Sequence, residues 1–201
     1  MAAAPLPYDA RLERLLTRAA RVFAERGFHS SSMRDLAAAS GMSLAGMYYY
    51  VKGKDDLLFL IQERCFARVL AGAEGVLAQT TDPVERLHAF IRHHVTFFAA
   101  HLPETKVLTH EARALRGELR RRVDTIKRRY VDLLVGLLKD AAPDEPPLER
   151  RVAAYLLFGM MNWMYTWYDP AGALDPDRLA SLIARIFLGG LVDARFPVTG
   201  G

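Results

Sequence analysis

Apolar residues recur at helical spacing along the whole of this 201-residue chain, and this periodicity restricts the fold more than any other feature. No run of alternating apolar and polar residues predicts a β-strand. A hydrophobic content of 51% is enough for a real core. Prolines, glycines and capping residues divide the pattern into nine helices, so the sequence predicts an all-α fold. The expected helices span about 8–26, two short stretches within 32–50, 54–78, 83–101, 104–115, 117–142, 148–168 and 176–191.

The segment from Ser32 to Lys54 predicts a helix, a tight turn and a second, very short helix. Ser32 and Asp35 have the spacing of a capping box, in which a hydroxyl and a carboxylate satisfy free N–H groups at a helix start. Gly41 supplies the turn. Three consecutive tyrosines then follow, and their hydroxyl-bearing rings suit phosphates and base edges better than a core. The pattern indicates a helix-turn-helix that docks on DNA.

The distribution of charge supports this interpretation. The chain has a net charge of +4, and residues 1–54 hold eight basic and four acidic residues. The rest of the chain holds 19 of each and is neutral. All the excess positive charge therefore lies in the segment with the helix-turn-helix pattern, as expected if neutralising phosphates supplies affinity.

Two kinds of DNA contact are expected. Lys52, Lys54 and the N–H groups at helix starts would hold phosphates, whereas Gly46, Met47 and Tyr49 would meet base edges or thymine methyl groups. The candidate DNA-binding residues are Ser32, Met33, Arg34, Ser43, Leu44, Gly46, Met47, Tyr48, Tyr49, Tyr50, Lys52 and Lys54.

Not all of these side chains can face the duplex. Tyr48 and Val51 share a helix face, so one of the two is expected to pack inward. Tyr49 is then expected to be the most exposed tyrosine.

The N-terminal motifs resemble those of the TetR family of bacterial transcriptional regulators. The residues concerned are 20–27, 32–37, 41–43 and 47–57. The resemblance implies nine helices, a homodimer built on the last two, and operator binding that a small molecule in the C-terminal domain abolishes. We therefore expect a DNA-binding domain over 1–53 and a ligand-binding and dimerisation domain over 54–201.

Some positions depart from the family pattern. Leu44 and Ala45 replace a basic or small polar residue followed by glycine, Gly46 replaces a frequent Ser or Thr, and Val51 replaces a common Phe. These changes leave few side chains for reading bases, so the tyrosines and bridging waters are expected to carry more of the recognition.

Two aromatic segments are expected to line an effector pocket. Trp163 and Trp167 are four residues apart and could form one wall beside Asn162 and Thr166. Alternatively the same segment is simply the dimer helix, since such interfaces are also rich in Trp, Tyr and Met. The facing helix would contribute Phe90, His94, Phe97 and Phe98.

A basic cluster suggests the chemistry of the effector. Nine basic and three acidic residues lie between Lys106 and Arg129, which suits a ligand with a phosphate-rich head. The alternative is a solvated helix face. The pattern Asn-Trp-x-x-x-Trp-Tyr-x-Pro also resembles that of acyl-CoA-responsive TetR members, which control fatty-acid or related catabolic genes. We therefore expect a long- or medium-chain acyl-CoA, with its head near Arg113, Arg116 and Arg120.

Other functions are less well supported. The chain has no nucleophile elbow, phosphate-binding loop or metal-binding motif, so we expect no enzyme, cofactor or metal. A sensor of aromatic drugs controlling an efflux gene is the alternative regulator, and a redox switch at Cys65 is a third possibility. The absence of a long apolar run or a signal peptide predicts a cytoplasmic protein.

Overall fold

The computed structural model describes residues 8–111 and 113–192, and over these ranges the chain forms nine α-helices and one short 3₁₀ helix. The all-α prediction is confirmed. The helices are α1 (Tyr8–Arg26), α2 (Met33–Ser40), α3 (Leu44–Tyr48), α4 (Lys54–Leu77), α5 (Pro83–Ala99), α6 (Leu102–His110), α7 (Gly117–Ala141), α8 (Pro147–Asn162), the 3₁₀ helix (Trp163–Thr166) and α9 (Pro176–Val192).

The chain divides into two compact units. The N-terminal unit contains the described residues of 1–67 and 102–126, and the C-terminal unit contains those of 68–101 and 127–201. The helix-turn-helix thus shares its unit with α6 and the start of α7. This division by packing differs from the functional boundary expected after Gly53, which stays a prediction.

The apolar stripe of α1 forms the centre of the N-terminal unit. Leu15 and Ala19 are fully buried there, together with Leu36 from α2, Met47 from α3 and Leu57 from α4. The helix ends at Gly27, whose φ of +83° is a conformation that glycine adopts without strain. One core therefore orients the helix-turn-helix and the start of α4.

The C-terminal unit is built around α5. This helix packs along α9, and both helices contact α8. Asp82 caps the start of α5 by accepting the N–H of Glu85 at 2.8 Å, and Pro83 occupies the first turn, where its missing N–H costs nothing.

Three helix boundaries differ from those expected, and one of them is the end of α6, which lies at His110 rather than near residue 115. The α8 helix ends at Asn162 rather than near residue 168, because Tyr168 turns inward and its hydroxyl donates to the carbonyl oxygen of Leu174 at 3.0 Å. The α6 helix begins at Leu102, where Pro103 was expected to break the chain, because proline is tolerated in a first helical turn. Among the described residues no helix is long and apolar enough to cross a membrane.

Candidate functional site

The helix-turn-helix is held by side-chain caps on both of its helices. The Ser32 hydroxyl accepts the N–H of Asp35, while the Asp35 carboxylate accepts the N–H of Ser32 at 2.8 Å. These hydrogen bonds from Ser32 hold the pKa of the Asp35 carboxyl below its ordinary value. Gly41 ends α2 with a φ of +68°, and the Ser43 hydroxyl accepts the N–H of Gly46 at 3.0 Å to start α3. Ser32 and Ser43 therefore shape the motif.

Besides the two capping serines, four of the candidate DNA-binding side chains are exposed to solvent. Tyr49 is 75% exposed and Tyr48 is 51% exposed, and Arg34 and Lys52 are exposed as well. Tyr50 is half-buried and meets the Tyr49 ring edge-on, with 5.2 Å between ring centroids. The expectation that Tyr49 is the most exposed tyrosine is confirmed. The exposed face of the motif thus carries two phenols, a guanidinium and an ammonium.

Met47 is completely buried, so the prediction that it meets bases is wrong. Val51 is 2% exposed, and of the pair Tyr48 and Val51 it is Val51 that packs inward. The α3 helix has only five residues, and its buried face has to anchor it on α1 and α4. Met33 and Leu44 are half-buried against the same core. Most of the apolar candidates are therefore structural.

Lys54 has a different role from the one expected. Its ammonium donates to the carbonyl oxygens of Phe28, His29 and Ser31 at 2.7, 3.3 and 2.9 Å, and it lies 4.5 Å from the centre of the Phe28 ring. An ammonium has three N–H donors, and all three are used. Lys54 closes the loop between α1 and α2 instead of binding phosphate.

Glu111 holds the same loop from another helix and was not identified from the sequence. Its carboxylate accepts the N–H of Phe28 at 3.0 Å, and its carbonyl oxygen accepts from the Gln62 side chain at 3.2 Å. Phe28 and Glu111 are 83 residues apart, so no local pattern could reveal this contact. The loop that positions α2 is therefore tied to both α4 and the end of α6.

A buried histidine occupies the centre of the C-terminal unit. His94 is 1% exposed; its Nε2 donates to Asn162 Oδ1 at 3.2 Å, and its Nδ1 accepts from the Tyr130 hydroxyl at 3.0 Å. The amide oxygen can only accept, which places the imidazole proton on Nε2. Burial lowers the pKa of His94 to about 3, so the ring is neutral at physiological pH.

Aromatic rings surround this histidine. Phe90 lies 5.2 Å from Tyr130 and 6.1 Å from Phe158, and Phe98 lies 4.6 Å from His94, all between ring centroids. We call these five residues the aromatic cluster. It contains the expected Phe90, His94 and Phe98 together with Tyr130 and Phe158, which the sequence analysis missed. Phe97 is half-buried at the edge of the cluster, where its ring meets Phe98 edge-on at 5.1 Å and stacks on His101 at 4.4 Å.

The two tryptophans lie on the surface of the C-terminal unit. Trp163 is 62% exposed and Trp167 is 54% exposed, so they form no inner wall in this structure. Thr166 is exposed too, and its hydroxyl donates to the Trp163 carbonyl oxygen at 2.7 Å. Both tryptophans follow an exposed apolar stripe, the α8 face, which is formed by Leu148, Val152, Tyr155 and Leu156. The exposure favours the dimer-helix alternative over the pocket wall.

The three candidate head-group arginines belong to the N-terminal unit. Arg113 and Arg116 are exposed, and within the described ranges neither has an ion-pair partner. Arg120 donates to Asp124 at 2.8 Å, which offsets its charge. Two of the three therefore have a guanidinium free to bind an anion.

Comparison with known proteins identifies the family. Residues 15–61 match the family of bacterial regulatory proteins, tetR family, and residues 80–191 match the tetracyclin repressor-like C-terminal domain. The chain belongs to the TetR family. It is accordingly a DNA-binding transcriptional regulator of dimeric architecture and not an enzyme.

Several relatives cover nearly the whole chain. The fatty acid metabolism regulator protein of Bacillus subtilis is 23% identical over 181 residues, which are 88% of this chain and 93% of that protein. AibR, solved in complex with isovaleryl coenzyme A and operator DNA, is 31% identical with a TM-score of 0.78, covering 88% of this chain and 97% of AibR. A TetR-family regulator from Bordetella parapertussis is 26% identical with a TM-score of 0.86, covering 93% and 98%.

Proposed function

We propose that this TetR-family protein is a repressor that leaves its operator when an acyl-CoA binds. The observation that carries the proposal is the likeness to AibR, whose structure contains both isovaleryl coenzyme A and operator DNA. The genes it controls would then serve fatty-acid or related catabolism. Because bacterial operators lie in the cytoplasm, we also place the protein there.

The exposed face of the helix-turn-helix would make the DNA contacts. Lys52 and Arg34 would bind phosphates, and Tyr48 and Tyr49 would reach base edges directly or through water. Peptide N–H groups at the start of α2 would add phosphate contacts. This set is smaller than the one expected from the sequence, because Met47 and Lys54 are engaged within the protein.

The aromatic cluster would receive the acyl chain. Its rings are in mutual contact, with Phe90 fully buried, so an acyl chain has to displace side chains in order to enter. A short branched chain displaces less than a long one, and this favours an effector of about the size of isovaleryl-CoA over the long or medium chains expected from the sequence. The Asn162 side-chain N–H, or the His94 Nε2–H once it leaves Asn162 Oδ1, would then donate to the thioester carbonyl oxygen.

The α8 face would form the dimer interface with the exposed part of α9. The α9 side chain Ile186 is 63% exposed, and Leu156 on α8 is 62% exposed. Apolar side chains of this size are costly to leave in water, and a second copy of the chain would cover them.

Calorimetry with three ligands tests the effector. Isovaleryl-CoA is expected to bind more tightly than either isovalerate or free CoA, because it alone has both the acyl chain and the phosphates. Arg116→Gln should weaken the binding of free CoA about tenfold, since one charge-assisted bond to phosphate is lost. Arg121→Gln is the control, because Arg121, on α7 five residues after Arg116, already pairs with Glu118. Equal binding of isovalerate and isovaleryl-CoA would exclude the proposed head-group site.

The alternative effector, an aromatic drug, has less support. Such a sensor would need aromatic faces around a cation, and both tryptophans are at the surface.

A further inference from the structure

A cleft in the surface of the C-terminal unit is separate from the aromatic cluster. It lies between α5, α9 and the end of α4 and has a volume of about 680 Å³. This volume is within the range of about 300–1,000 Å³ that is common for small-molecule sites. None of the five residues of the aromatic cluster lines it. The cleft therefore needs an explanation of its own.

Small side chains create the space. Ala180 and Ala184 of α9 are almost fully buried and line the cleft, facing Ala89 of α5. Larger residues at these three positions would fill the gap between the helices. This apolar floor suits a short aliphatic group, and no Phe, Tyr or Trp is among the described lining residues. The aromatic rings among the described lining residues are the imidazoles of His88 and His93.

The charged groups around the floor restrict the ligand further. Arg92 lines the cleft, and within the described ranges its guanidinium has no hydrogen-bond or ion-pair partner. Glu85 and Asp177 contribute two carboxylates, of which Glu85 accepts only the Thr80 hydroxyl at 2.7 Å. Among the lining carboxylates and guanidinium the carboxylates outnumber the cation by two to one, which disfavours a polyanion such as the head of CoA. A ligand with one carboxylate and one ammonium is complementary to the guanidinium and the two carboxylates of this lining.

The cleft stays open when the α8 face and Ile186 are covered. Ile186 is nine residues after Asp177 on α9, and at about 100° per residue the two side chains point in opposite directions. Dimerisation through the Ile186 side of α9 therefore leaves the side that lines the cleft accessible to a ligand.

We propose that this cleft is a second ligand site, which binds a small aliphatic zwitterion of the amino-acid type. The carboxylate of the ligand pairs with Arg92, its ammonium lies near Asp177 and Glu85, and its aliphatic chain rests on the alanine floor. Since α4 runs from the cleft into the N-terminal unit as one continuous helix, such a ligand has a direct route to the DNA-binding segment.

Three probes with the same butyl chain test the proposal on the full chain by calorimetry. L-norleucine has both charges, hexanoate lacks the ammonium and pentan-1-amine lacks the carboxylate. Norleucine should bind at least about tenfold more tightly than either of the others, because each lost ion pair costs that much or more. Equal affinities for the three, or no binding of norleucine at millimolar concentration, would overturn the assignment.

Two variants locate the binding. Arg92→Gln and Asp177→Asn each change an exposed side chain and should weaken norleucine binding about tenfold or more. Arg185→Gln is the matched control, since Arg185 is exposed on α9 but does not line the cleft. Unchanged affinity in Arg92→Gln and Asp177→Asn, or an equal loss in Arg185→Gln, would show that norleucine does not occupy this cleft.

Discussion

Replacing Lys54 by methionine tests whether this lysine closes a loop or binds DNA. Methionine keeps an unbranched apolar stem against Phe28 but removes the ammonium. Two of the three lost hydrogen bonds, to Phe28 and Ser31, are partly buried, whereas the third, to His29, is exposed and can be replaced by water. Counting the two buried bonds and the contact with the ring, we expect a loss of about 2–3 kcal/mol in the free energy of unfolding.

Two measurements separate the roles. Urea denaturation of Lys54→Met should show the lower stability, and operator binding at several salt concentrations should keep its slope. Lys52→Met is the matched control: Lys52 is exposed, and the hydrogen bond of its backbone N–H to Asp56 is unaffected by the substitution. This variant should retain its stability but lose about 0.9 from the slope of log affinity against log salt, the value of one phosphate contact.

The opposite pattern would refute this reasoning. If Lys54→Met unfolded at the parental urea concentration and lost a phosphate contact from its salt slope, Lys54 would bind DNA as the sequence suggested. The triple carbonyl contact would then be dispensable for the loop.

Four further outcomes are expected. Tyr49→Ala should weaken operator binding about tenfold at unchanged stability, as judged by fluorescence anisotropy, whereas Met47→Ala should cost about 2–5 kcal/mol of stability, seen in urea denaturation. The pKa of His94 is lower in the folded than in the unfolded chain, so the contribution of the neutral ring to the free energy of unfolding is complete above pH 6.5 and is lost as the pH falls towards 3. His94→Phe should remove up to about 1.4 kcal/mol per pH unit from this pH dependence of the free energy of unfolding, measured by urea titrations at pH 7 and 5. Leu156→Glu places a carboxylate in the α8 face and should yield monomers in light scattering.

Local patterns were sufficient for most of the helices and for the family. The capping box at Ser32 and the turn at Gly41 depend on residues only a few positions apart, and both are present as expected. The end of α8 was harder to place, because it depends on where the Tyr168 side chain packs and not on a breaker in the sequence.

The details of the candidate site depend on contacts across the chain. A five-residue helix shows little periodicity, so the sequence could not say that Met47 is core while Tyr48 is exposed. The Lys54 and Glu111 contacts to the loop after α1 cross 26 and 83 residues. The charged side chains around the cleft likewise come together only because α5 packs along α9.

The effect of isovaleryl-CoA on operator affinity tests the account most directly. An operator is first selected from random DNA by repeated binding, and its affinity for the protein is then measured by anisotropy with isovaleryl-CoA and with the same concentration of free CoA. The account predicts a loss of operator affinity of at least about tenfold with isovaleryl-CoA alone, the size of an ordinary allosteric coupling. Equal operator affinity in the two titrations would contradict it.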